Sequence, residues 1–166
     1  MLTTGNSASL LEGGQINLAC FEVGGRMVAL DVAQVREIVR WQEVTPMPKA
    51  PELIEGVIDL RGQLVPVLDL SRALTGQPAE VDARTRVVVL ETDGLVLGLA
   101  VEAAVDILSV EAGALEDPPA LVIQAGYDAV RAVVRRPGES PVLVLSLDHI
   151  IESVYRSALP QREESQ

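Results

Sequence analysis

The stretch Ile54-Glu55-Gly56-Val57-Ile58-Asp59-Leu60-Arg61-Gly62-Gln63-Leu64-Val65-Pro66-Val67-Leu68-Asp69-Leu70 decides how the chain is read. Two apolar runs flank Arg61-Gly62, a dipeptide suited to a tight hairpin turn because glycine adopts positive φ at no steric cost. Gly56 to Leu60 then forms one strand and Leu64 to Leu70 the next. The second run is nearly all apolar, the pattern of a strand buried on both faces. Asp69 and Ser71 are placed to cap a single helical turn, which Thr75-Gly76 ends. Upstream, Pro46, Pro48 and Pro51 impose an extended, non-helical connection.

Outward from this hairpin the text stays strand-like. Asn17 to Val23 and Met27 to Val32 flank Gly24-Gly25, a second hairpin signal. Val32, Val35, Ile38 and Val39 recur at three- and four-residue spacing, which predicts a short helix. The pattern then starts again. A shift of 69 places lays Phe21–Val39 on Leu90–Leu108 without a gap, matching Gly25 with Gly94 and Ile38 with Ile107. A shift of 76 lays Ile54–Gly62 on Val130–Gly138, and one of 77 lays Val65–Leu74 on Val142–Ile151. The chain is therefore read as a duplicated strand–turn–strand–helix–linker–hairpin unit.

The expected layout is a flexible lead-in over residues 1–15 and one domain over 16–151, with a first repeat at about 16–75 and a second at about 85–151. An amphipathic helix over 148–159 and a polar tail over 160–166 complete it. Units of about 65 residues bury too little surface to be secure alone, so the two should share a core. Short strands with glycine turns and little helix argue for small barrels.

Composition agrees with this. The sequence holds 24 Val, 22 Leu and 8 Ile against four aromatics, Phe21, Trp41, Tyr127 and Tyr155. β-Branched side chains suit a pleated surface and lose rotamer freedom in helices. At net −11 there is no cationic surface for nucleic acid or an anionic membrane. Cys20 stands alone, so no intrachain disulfide forms and the thiol reads as a small buried hydrophobe. The polar start lacks a signal-peptide pattern, and no apolar run reaches the ~20 residues of a membrane span. A cytoplasmic protein without membrane insertion is expected.

The catalytic inventory is thin. His149 is the only histidine, which removes His-based metal sites, and no phosphate loop or nucleophile elbow is present. Neither metal nor cofactor is expected. The one enzyme alternative uses Asp59, Arg61 and Asp69 as an acid/base group, but Asp59 beside a turn and Asp69 at a helix start are ordinary positions for aspartate.

Pro46-x-Pro48 followed by Ile54 to Leu70 resembles the signature of the CheW-like family: a proline-rich linker, "GV-x-N-L-R-G", then "V-x-P-V-x-D-L". Val35-Arg36-Glu37-Ile38 resembles that family's V-x-E-I, and Gly98 to Val101 with Val105 to Leu108 its second-half equivalent. The resemblance spans about Ile16 to Ile151. It implies a mainly β fold of two pseudo-symmetric, five-stranded, SH3-like barrels with short helices and a C-terminal helix. It also implies a non-enzymatic adaptor that couples chemoreceptors to a CheA-type histidine kinase in arrays on the inner face of the cell membrane. A paralogue serving a twitching, gliding or other non-flagellar pathway is the alternative within the family.

By the same resemblance, the receptor's helical hairpin tip docks on Val32, Val35 and Ile38, with Glu37 beside them and Arg61 at the hairpin, while the kinase's regulatory domain pairs with barrel ends. An apolar stripe accepts an amphipathic helix, and an arginine on a tight turn engages a partner carboxylate. The chain departs from the pattern in places. Asp59 replaces the usual Asn and sets a carboxylate beside Arg61, able to pair with it and compete with a receptor. Ala132 replaces a glycine, Ser146 replaces the Asp that would match Asp69, and Arg135 to Pro141 replaces a compact charged turn. Trp41 is expected to pack over the proline linker, with an interface anchor as the alternative.

Overall fold

The computed structural model describes residues 14–120 and 129–158. The expected lead-in up to residue 13 and the tail from 160 lie outside the described residues, and Gln15, expected in the lead-in, opens the first strand.

The elements run β1 (Gln15–Val23), β2 (Arg26–Asp31), a 3-10 turn (Val32–Gln34), β3 (Val35–Arg40), β4 (Ile54–Leu60), β5 (Gln63–Asp69) and α1 (Leu70–Thr75). They continue with β6 (Arg86–Thr92), β7 (Leu95–Val101), β8 (Ala103–Glu111), a second 3-10 turn (Ala112–Ala114), β9 (Leu115–Glu116), β10 (Val130–Arg136), β11 (Glu139–Leu145) and α2 (Leu147–Ala158). The caps follow the expected chemistry. Asp69 accepts the Arg72 N–H at 3.1 Å, and Gly76 closes α1 in the left-handed region. Ser146 Oγ receives the His149 N–H at the start of α2.

The expected helix through Val32, Val35, Ile38 and Val39 does not form. Asp31 caps only a single 3-10 turn through the Ala33 N–H, and from Val35 the chain is a strand paired with β6. A bulge at Arg36 inserts one residue into β3 and breaks the two-residue period of a strand. One tight turn followed by a bulge places apolar residues three apart, which imitates a helix face. The partner that decides the matter, β6, lies far away in sequence, and β-branched residues favour the pairing.

Two sheets result, with orders β8-β1-β2-β11-β10-β9 and β3-β6-β7-β5-β4. The short β9 makes the first six-stranded where five were expected. Each sheet curls on itself. In the larger, edge strand β8 passes through three 3-10 residues into β9, which pairs at the opposite edge. In the smaller, the chain leaving β3 returns at Thr45 to bridge Val57 of β4.

Neither sheet is built from one repeat. The larger takes β1 and β2 from the first half and β8 to β11 from the second, while the smaller takes β3 to β5 and then β6 and β7. Replacing each strand by its partner in the sequence alignment turns one sheet order into the other. The registers correspond: Val23 faces Arg26 as Thr92 faces Leu95, and Ala29 faces Val144 as Gly98 faces Val67. The bulges correspond too, Arg36 with Val105 and Glu55 with Arg131.

Three apolar clusters explain the valine and leucine excess. Phe21, Leu30, Leu68, Leu90, Leu99 and Leu145 meet between the sheets, with Leu147 and Ile150 of α2. Leu18, Cys20, Val134 and Val144 fill the larger sheet's interior, and Ile58, Val65, Val67 and Val87 that of the smaller. The central strands alternate between clusters, Val87 and Val89 facing one and Val88 and Leu90 another. That is why their text is continuously apolar. Trp41 packs against the smaller sheet's interior, and its backbone N–H donates to the Thr85 carbonyl at 3.3 Å.

Candidate functional site

The β4–β5 hairpin closes through Arg61 (φ 53°) and Gly62 (φ 88°), both in the left-handed region that a two-residue hairpin turn requires. Asp59 Oδ1 accepts the Gly62 N–H at 2.8 Å and so rigidifies the turn. The expectation that Asp59 pairs with Arg61 is corrected here: the carboxylate is spent on the turn, and the Arg61 guanidinium donates to Glu37 of β3. Arg36 adds a donation to Gln63 Oε1 at 3.5 Å and an ion pair with Glu91 at 3.8 Å. The hairpin tip is thereby tied to the opposite edge of its own sheet.

Glu37 and Ile38 are neighbours on a strand, so their side chains leave on opposite faces. Ile38 is 40% exposed and faces away from the core. It lines a shallow groove of about 210 Å³ together with Ala19 to Phe21 of β1 and Ala104 to Ile107 of β8. Val105 and Ile107 stand 50% and 56% exposed there. By the repeat Ile107 is the counterpart of Ile38, so the groove joins equivalent residues of the two halves across the junction of the sheets. Ala104, Val105 and Ile107 were not named as site residues from sequence, although Val105 to Leu108 were read as part of the second-half motif. The signal was present in the alignment of Ile38 with Ile107, but only the pairing of β8 with β1 brings them together.

Val32 and Val35 fall elsewhere. Both are half-buried and pack against the cluster between the sheets, so Val32, Val35 and Ile38 do not form one exposed stripe. Of the five candidate residues the structure brings Glu37 to Arg61 and leaves Ile38 open.

Asp59, Arg61 and Asp69 are not gathered into a pocket. Asp69 is buried at the far end of β5 and accepts the Arg72 and Ala79 N–H groups, both at 3.1 Å. Among the described residues no group of three His, Cys, Asp or Glu side chains is arranged to hold a metal. No helix among them is long and apolar enough to cross a membrane. His149 is an exposed residue of α2 whose Nδ1 lies 2.9 Å from Ser146 Oγ.

A second concavity, about 370 Å³, opens at the end of the larger sheet between the β1–β2 turn, Arg26, Met27, Ser140, Pro141 and Leu143. At the equivalent end of the smaller sheet Leu64 is 64% exposed and Leu95 stands beside the turn at Gly94. The repeat aligns Leu95 with Arg26, so the two ends differ in chemistry.

Comparison with known proteins agrees with this architecture. Residues 17–155 match the family model described as the CheW-like domain. The chain is 35% identical over 153 residues to chemotaxis protein CheW of Rhizobium meliloti, covering 92% of this chain and 98% of that one. It is 28% identical to protein FrzA of Myxococcus xanthus over 84% of this chain and 88% of that one. The crystal structure of the scaffolding protein TtCheW from Thermoanaerobacter tengcongensis superposes with a TM-score of 0.71 at 25% identity, covering 80% of this chain and 84% of that one. The protein is accordingly a chemotaxis adaptor, a scaffold and not an enzyme. With the sheet architecture, the signature hairpin and these likenesses in agreement, the chain belongs to the CheW-like domain family.

Proposed function

We propose that the protein couples a chemoreceptor's cytoplasmic tip, a helical hairpin, to the regulatory domain of a CheA-type histidine kinase. The receptor helix lies in the groove of Ile38, Val105 and Ile107. Arg61 engages a partner carboxylate from the adjacent hairpin, Glu37 positions Arg61, and Val32 and Val35 anchor β3 from behind. The kinase domain meets the barrel ends, at the cleft beside Arg26 and at Leu64 and Leu95. The complex works in arrays on the inner face of the cell membrane.

The observation that carries this reading is the groove itself. Three large aliphatic side chains remain exposed together at the junction of two well-packed sheets. Contiguous apolar surface of this kind marks interaction sites, and a trough lined by side chains suits an amphipathic helix.

The test is a titration of the purified protein with a chemoreceptor cytoplasmic fragment and, separately, with the kinase regulatory domain. Ile38→Asp should abolish receptor binding and spare the kinase domain, and Leu64→Asp should do the reverse. Wild-type binding of both partners by both variants overturns the assignment.

A further inference from the structure

We infer that Asp106 is the charged anchor of the groove and selects a helix carrying a lysine or arginine beside its apolar face. This rests on the docking reading above and names the chemistry of its partner. Asp106 lies on β8 between Val105 and Ile107, which line the groove with it, and strand alternation sets its carboxylate at the groove's rim, on the free edge of the sheet. Its side chain is exposed, and its Oδ1 accepts the Ile107 N–H at 2.7 Å. Among the described residues no cation stands within ion-pair distance of it.

The repeat shows what is missing. Asp106 corresponds to Glu37, and each carboxylate precedes an exposed isoleucine in an equivalent place beside a bulge. Glu37 is neutralised by Arg61. The counterpart of Arg61 is Pro137, which has no charge to offer. The neighbouring arginines are engaged elsewhere: Arg135 with Glu116 at 2.9 Å, and Arg136 with Glu139 at 2.9 Å and the Ser140 carbonyl at 2.7 Å. One of two equivalent carboxylates is therefore satisfied within the chain, and the other is left for a partner. Its charge reaches the groove floor, where it adds to the burial that pushes the Cys20 thiol up, against the opposing effect of Arg136.

The same contact argues for a helix over an added strand. The Ala112 N–H donates to the Gly14 carbonyl, and hydrogen-bonded pairs alternate along β1 and β8 from there. Ile107, opposite Ala19, thus turns its N–H toward the free edge, where an incoming strand would need it. Asp106 occupies that donor and charges the edge, a device that blocks edge pairing. Recognition is left to side chains, which a helix laid across Val105, Ile107 and Ile38 supplies.

The experiment titrates the full-length protein and its Asp106→Asn and Asp106→Lys variants with a chemoreceptor cytoplasmic fragment at low and high salt. Asparagine keeps an oxygen for the Ile107 N–H, so the fold is preserved. The expected result is binding weakened about three- to tenfold by Asp106→Asn at low salt, with the difference shrinking at high salt, and a larger loss for Asp106→Lys. Reversal to glutamate of one basic residue on the receptor tip should restore binding to Asp106→Lys alone. Equal binding by wild type and both variants, or a loss that is independent of salt, overturns the inference while the docking reading stands. A fragment that fails to bind the wild-type protein overturns the docking reading and this inference with it.

Discussion

Arg61 and Glu37, 24 residues apart in sequence, form an ion pair that ties the tip of the β4–β5 hairpin to β3, the opposite edge of the same sheet. Hydrogen bonding and charge from Glu37 hold the exposed guanidinium above its ordinary pKa. Arg61 does this from a left-handed backbone conformation that a glycine would occupy more readily. A costly residue at an exposed turn points to the side chain rather than to the turn.

Arg61→Gly should therefore separate function from stability. Thermal melting should show a Tm no lower than wild type, because the turn geometry is relieved as the surface pair is lost. Affinity for the receptor fragment should fall about tenfold. A variant that unfolds, or binds normally, contradicts the assigned role.

Val35 and Ile38 should behave oppositely, although they sit on one strand. Val35 packs against the cluster between the sheets, so Val35→Asp buries a charge and should destabilise the fold by roughly 2–4 kcal/mol. Ile38→Asp points into open groove and should leave the unfolding free energy within about 0.5 kcal/mol of wild type while abolishing receptor binding. Chemical denaturation of both variants checks the contrast.

Gly56 and Ala132 occupy aligned positions, yet only the first requires glycine. A Cβ on Gly56 would lie 2.2 Å from the Thr45 carbonyl oxygen, at the bridge that closes the smaller sheet. Gly56→Ala should cost roughly 2–3 kcal/mol, whereas Ala132→Gly should cost about 1–1.5 kcal/mol through chain entropy and the loss of one buried methyl. Equal losses in paired urea melts would count against this.

Glu55 is held above its ordinary pKa, first by partial desolvation and then by the charge of Asp69, against the opposing Arg72. The folded state thus binds the proton more tightly than the unfolded chain. Its contribution to stability is present below the unfolded pKa and is lost as pH rises through the raised folded value. Glu55→Gln should raise Tm at pH 7 and leave it unchanged near pH 4. A larger gain at the acidic end would reverse the sign.

The hairpins were legible because their determinants are local. Gly24-Gly25 and Arg61-Gly62 announce turns, Asp69 and Gly76 bracket α1, and the apolar run into Leu70 marks a strand with two buried faces. The segment after Asp31 misled because one 3-10 turn and the bulge at Arg36 together imitate helical spacing. The candidate site was half legible. Glu37, Ile38 and Arg61 carried a recognisable pattern, but the partners of each came from elsewhere in the chain.

By itself the sequence determined the β class, the internal duplication, the turns and caps, and the family, since each of these rests on short-range pattern and composition. Only the tertiary structure decided that each sheet draws strands from both halves, that Glu37 rather than Asp59 meets Arg61, and that Ile38 joins Val105 and Ile107 in one groove. The physical reason is the strand itself. Its side-chain period is local, but its hydrogen-bonding partner is not, and two duplicated hairpins offer equivalent partners that periodicity cannot tell apart.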